Sequence, residues 1–154
     1  MKLVRATKTR LLFHLGRREE HLLRQVLKLY PRVPSAHHAL SKSDRLPNRE
    51  ANQRLLDEAL AEQRAACKQQ VSALLADPRR LTYTESGGRL SLSSAEVDWV
   101  LQVLNDIRVG SWIILGAPEE RLPEMNETNA PHVWAMEMAG LFQAQLLEAL
   151  HRQM

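Results

Sequence analysis

The chain predicts an α+β fold, mostly helical, with four main helices and two short β-hairpins. Three observations carry this. "RLLFHL" places Leu11, Phe13 and Leu15 in alternation with Arg10, Leu12 and His14, the period of a half-buried strand. Four longer stretches repeat apolar residues at helical spacing; the first three end at Pro, Asp-Pro or Gly, and the last runs nearly to Met154. A shift of 77 residues then lays the second half over the first, as a possible hairpin-helix-helix pseudo-repeat.

"LVRAT" and "RLLFHL" read as the first hairpin. Gly16 opens a helix from about Arg17 to Tyr30, stopped by Pro31 and Pro34. Its apolar side is Leu22, Leu23, Val26, Leu27 and Tyr30, with Arg17, His21, Arg24 and Lys28 opposite. "PRVPSAHHALSKSDRLP" has no periodicity and reads as a loop. A long helix follows, from Asn48 to about Ala76, with Leu56, Leu60, Cys67, Val71 and Leu74 in one row.

"LTYT" and "RLSL" flank Glu85-Ser86-Gly87-Gly88, a hairpin signal. Ser93 and Glu96 then fit a capping box, in which each side chain satisfies a backbone amide at the helix start. That helix, apolar on nearly all sides, runs to about Leu115 and is expected to be central. Thr128 or Asn129 caps the last helix, with Pro131 in its first turn. Under the 77-residue shift Phe13 meets Leu90, Glu19 meets Glu96, and "QVL" at 25–27 meets "QVL" at 102–104. The expectation is a single domain over 1–154, with structural halves 1–76 and 78–154.

Composition narrows the function classes. The 154 residues are 44% hydrophobic and 25% charged, enough for a real core. No apolar run reaches the roughly 18 residues of a membrane span. "MKLVRATKTR" lacks the apolar region of a secretory signal, and the single cysteine, Cys67, excludes an intramolecular disulfide. A cytoplasmic setting is expected. Cys67 lies on an apolar row and reads as a small buried hydrophobe.

No phosphate-cradling loop, dinucleotide fingerprint, nucleophile elbow or metal-ligand spacing occurs, so no cofactor and no metal is expected. The adjacent pair His37-His38 reads as solvated loop. Glu119-Glu120 sit in a polar loop with no apolar pocket to raise a carboxyl pKa.

Charge is divided unevenly. Residues 1–54 carry 13 Lys/Arg against 4 Asp/Glu, and residues 55–154 carry 8 against 14. Either the two parts attract each other in the fold, or the first part meets an acidic partner. The candidate basic face is Arg5, Lys8, Arg10, Arg17, Arg18, Arg24 and Lys28. It is either a solvated surface or a phosphate contact, weak and indifferent to base sequence.

"LQVLNDIRVGSWIILG" places Asn105, Asp106 and Arg108 inside an apolar helix. Arg108 falls in the row of Leu101, Leu104, Trp112 and Leu115, and an unpaired charge there would be costly. Glu137, flanked by Val133, Trp134, Gly140 and Leu141, is the expected partner for an ion pair between the third and fourth helices.

"VLQVLNDIRVGSWIILGAPEE" resembles the hallmark segment of a bacterial family known as domain-of-unknown-function family twenty-seventeen. Its members carry a similar Leu-Asn-Asp-hydrophobic-Arg run before a Gly-containing helix end. The Glu-containing helix "GRREEHLLRQVLKLY" and the Phe142-Gln143 step are also similar to the family pattern. The resemblance implies a regulatory protein, with genes often beside that of the Clp protease adaptor and a role in oxidative-stress transcription control. A redox switch through paired cysteines would need a second thiol.

Two function classes follow. One is a non-enzymatic regulatory or adaptor-type protein, with a protein partner expected first and weak nucleic-acid contact second. The other is an enzyme with a site assembled around Asn105, Asp106 and Arg108.

Overall fold

The computed structural model describes residues 1–34 and 48–153; the His37-His38 pair and most of the expected loop lie outside them. Among the described residues there are four strands, β1 (Lys2–Ala6), β2 (Arg10–Leu15), β3 (Leu81–Thr84) and β4 (Gly87–Ser93). There are four helices, α1 (Arg17–Leu27), α2 (Arg49–Ala76), α3 (Ser94–Ile114) and α4 (Ala130–His151). The class is α+β, as the patterns predict. No described helix is long and apolar enough to cross a membrane.

The strands form one antiparallel sheet in the order β1-β2-β4-β3, so each half contributes one hairpin and the two inner strands join them. Directly opposed residues share a face of an antiparallel sheet. Leu11, Phe13 and Leu15 therefore point with Leu92, Leu90 and Gly88 to one side, where they are buried. That side packs on Leu23, Val26 and Leu27 of α1, on Val97, Val100 and Leu104 of α3, and on Phe142 and Leu146 of α4. Each such side chain contributes about 1.5–3 kcal/mol by leaving water. Among the described residues no helix covers the opposite face, where Lys2, Arg5, Arg10, His14 and Arg89 are exposed.

The two halves share the order strand, strand, helix, helix. Gly16 and Ser93, 77 residues apart, are the N-caps of α1 and α3. The Gly16 amide donates to Glu19 Oε2 at 2.9 Å, and the Ser93 amide donates to Glu96 Oε2 at 2.7 Å. The pairs Arg5↔Leu12 and Ala6↔Leu11 shift onto Thr82↔Arg89 and Tyr83↔Gly88, which are also found. Phe13 and Leu90 face each other across the inner strands. The parallel breaks at an irregularity between Leu3 and Arg5 in β1, and again in the second helix of each half.

α4 lies along α3, where Ala135 and Ala139 allow close approach. α2 buries Cys67, Val71 and Leu74 near its C-terminal end, and further up Leu55 is 64% exposed. Three expectations need correction. α1 ends at Leu27, not Tyr30, because the chain tightens there into a turn, the Leu29 amide bonding Val26 O. Arg108 does not lie in an apolar row: with Trp112 it joins Asp98, Gln102 and Asn105 in one exposed stripe along α3. Asn129 occupies the N-cap position of α4 but makes no side-chain cap bond; its side chain instead bonds the Asn126 amide and Glu124 O.

Candidate binding surface

The Asn105–Arg108 segment divides between two sides of α3. On one side Asp106 Oδ1 accepts the Arg32 amide at 2.6 Å and the Val33 amide at 3.3 Å. One turn on, Gly110 lies so close to this strap that a Cβ there would stand 2.4 Å from Arg32 C and 2.6 Å from Val33 N. The Arg32 guanidinium reaches on to Ser111 Oγ at 3.0 Å and His132 Nδ1 at 3.2 Å. Arg64 of α2 donates to Val33 O from the other side. Asp106, Gly110 and Ser111 thus fasten the chain leaving α1 across α3.

On the other side Arg108 is exposed. Its Nε donates to Gln143 Oε1 at 3.1 Å and its Nη2 to Asn105 Oδ1 at 3.0 Å. The expected ion pair with Glu137 is not formed. The antiparallel packing of α3 and α4 sets Arg108 beside Gly140 and Gln143, and Glu137 is itself exposed. Neither charge is withdrawn from water, so neither needs the other.

A cleft of about 170 Å³ opens between α2, α3 and the end of α1, lined by Tyr30, Arg64, Cys67, Gln102 and Asp106 among others. Cys67 is buried there. Burial, the neighbouring Cys67 thiol and the Asp106 carboxylate push the Tyr30 phenol up to about 12, against the pull of Arg64. Tyr30 therefore stays protonated at neutral pH and is no candidate for a general base.

The candidate basic residues do not form one surface. Arg24 leaves it altogether. It is paired with Glu20, which is 7% exposed, and donates to Leu75 O at 2.8 Å and Leu81 O at 3.2 Å. The helical wheel places Arg24 opposite the apolar row, but the end of α2 and the start of β3 cover that position. Arg17, Arg18 and Lys28 are exposed on or just after α1, and the Arg17 guanidinium sits 5.7 Å from the centre of the Tyr83 ring. Lys8 is in the β1–β2 turn. Arg5 and Arg10 belong to the open face of the sheet.

That face carries the strongest arrangement of charge. Ladder positions place Lys2, His14, Arg89 and Thr82 in one row across all four strands. Arg5 lies in the next row opposite Leu12, and Arg10 opposite Ser93. Lys2, His14 and Arg89 were absent from the sequence-derived face. Their signal was the polar phase of the same alternation whose apolar phase marks the core. A depression of about 360 Å³ adjoins the row, edged by His14, Thr82, Thr84, Ser86 and Arg89 over Gly87. Gly87 has φ +112°, and a Cβ there would stand 2.5 Å from the His14 ring, so the floor is held open by glycine.

At the margin, Arg80 bridges Asp77 at 2.9 Å and Glu96 at 3.0 Å, and Arg10 lies 3.8 Å from Glu96. Burial works against the Glu96 charge, but the Ser93 amide, Arg80 and Arg10 together hold its carboxyl below the usual range. The Arg79 amide, with the Arg79 and Arg80 guanidinium groups, lowers Asp77 in the same direction. These acids are engaged at the end of the ladder and leave the row at Lys2, His14 and Arg89 uncompensated by a strand acid. Among the described residues no three His, Cys, Asp or Glu side chains converge as metal ligands would. No family model matches this chain, and neither a curated protein nor a solved structure matches it.

Proposed function

We propose that this chain is a non-enzymatic regulatory or adaptor-type protein, bacterial and cytoplasmic, that docks an acidic partner on the open face of its sheet. The observation that carries this reading is the row Lys2–His14–Arg89, flanked by Arg5 and Arg10, on a face that no helix of the described residues covers. The resemblance of the Asn105–Arg108 segment to domain-of-unknown-function family twenty-seventeen supports a regulatory role. The enzymatic alternative would draw on Asn105, Asp106 and Arg108. Asp106 is engaged with two backbone amides, and Arg108 with Asn105 and Gln143, so these groups fasten segments together and favour docking over chemistry.

The test is affinity capture from lysate, with and without nuclease, using the native chain and an Arg5→Gln/Arg10→Gln/Arg89→Gln variant. The reading expects whatever the native chain retains to be lost with the variant. Equal retention by both would place the docking surface elsewhere.

A further inference from the structure

We propose that the partner of this open face is the phosphate backbone of duplex nucleic acid, gripped by Lys2, Arg5 and Arg89 with the hydroxyls of Thr82, Thr84 and Ser86. This rests on the docking surface proposed above and names its occupant.

Charge gives the first argument. The four strands contain Lys2, Arg5, Arg10 and Arg89 but no Asp or Glu. Every one of these cations falls on the open face. Lys2 and Arg89 lie in one row on either side of His14, two strands apart. A row of fixed cations with no acid on its strands attracts an anion. Glu19, which feels the His14 ring, is already bound by the Gly16 amide and the chain's amino group. Glu85 sits in the hairpin turn, beyond the ladder.

Chemistry of the face selects among anions. Protein partners are held by buried aromatic or aliphatic anchors at the centre of the interface. Among the described residues this face offers Leu12 and Val4 and no exposed aromatic ring, Phe13 being buried beneath it. Single strands are held by stacking on aromatic side chains, which are also lacking. A duplex needs neither. It presents one charge per roughly 1.7 Å of axis. Lys2 to Arg89 spans two inter-strand steps, about 10 Å, and Arg10 to His14 about 13 Å along a strand. A patch of that size meets several phosphates at once. The hydroxyls around the Gly87 floor add donors suited to phosphate oxygens.

Fluorescence anisotropy with a labelled mixed-sequence duplex DNA, over a series of NaCl concentrations, tests this. The Lys2→Gln/Arg5→Gln/Arg89→Gln variant is expected to bind at least tenfold more weakly at low salt. Its slope of log K against log salt should flatten by about 0.9 for each cation removed. An Arg17→Gln/Arg18→Gln/Lys28→Gln variant on α1 should bind within twofold of the native chain. Circular dichroism melting checks that both fold; if the sheet variant does not, Lys2→Gln and Arg89→Gln singly must each flatten the slope. Duplex binding that survives the sheet variant, or is abolished by the α1 variant, overturns the proposal. Labelled polyglutamate separates it from the reading beneath it. Face-dependent binding of polyglutamate without binding of duplex rejects nucleic acid and keeps an acidic protein partner. Binding of neither polyanion rejects both.

Discussion

The seam where α1 meets the end of α2 and β3 holds an arginine, and so does the outer surface of α3 and α4. The two are held on different terms. In the seam, Arg24 faces Glu20 and two backbone carbonyls, and Glu20 is nearly excluded from water. On the outer surface, the exposed Arg108 spans Asn105, also exposed, and the partly exposed Gln143. Both make several hydrogen bonds, so the number of bonds does not distinguish them. What differs is the state of the groups left behind when the arginine is removed. Glu20 would be stranded as a buried charge, whereas Asn105 and Gln143 would turn to water.

The largest effect should therefore come from the seam. Arg24→Leu is expected to cost about 3–5 kcal/mol in denaturant unfolding, because it strands Glu20. Arg24→Leu combined with Glu20→Leu should recover much of that loss. A loss below about 1 kcal/mol for the single variant would erase the distinction between the two regions.

The strap over α3 comes next. Gly110→Ala drives a methyl group into the backbone of Arg32 and Val33, and should cost about 1–3 kcal/mol or more as the strap is displaced. Asp106→Ala leaves two amides without their acceptor and should cost about 1–3 kcal/mol. If both variants melt like the native protein, the strap contributes nothing and Asp106 is free for another role.

Smaller again is the acid limb of stability. The Glu96 carboxyl is held below its ordinary pKa in the folded state, so over that interval the unfolded chain binds more protons. Its contribution is complete above the ordinary carboxylate value of about 4.3 and is lost as pH falls through the lower folded value. Glu96→Gln should flatten the fall in melting temperature below about pH 4. An unchanged pH profile would refute the Arg80–Glu96–Arg10 arrangement.

The smallest effect sharpens the other side of the comparison. Arg108→Leu and Glu137→Leu should each change stability by less than about 1 kcal/mol, with no coupling in the double variant. A coupling above about 1 kcal/mol would mean that the two charges do meet, and that the exposed network in the structure is not the one in solution.

Local pattern determined the elements and most of their ends, α1 stopping one turn short of its proline. Alternation in Arg10–Leu15 fixes which side of β2 is buried, because side chains of a strand must point to opposite faces. The Ser93–Glu96 box and the Pro and Gly stops set helix boundaries through backbone hydrogen bonding within a few residues, and α3 begins where they say. The 77-residue correspondence was readable for the same reason, since it is a correspondence of local patterns. Only tertiary structure decided the fates of the charged residues. A helical position says which side of its own helix a residue occupies, not what covers that side. Arg24 was covered by the end of α2 and β3, and Arg108 was left open by the register of α3 on α4. The row Lys2–His14–Arg89 likewise required strand order and register, because its members come from positions 2, 14 and 89 and become neighbours only when β2 pairs with β1 and β4.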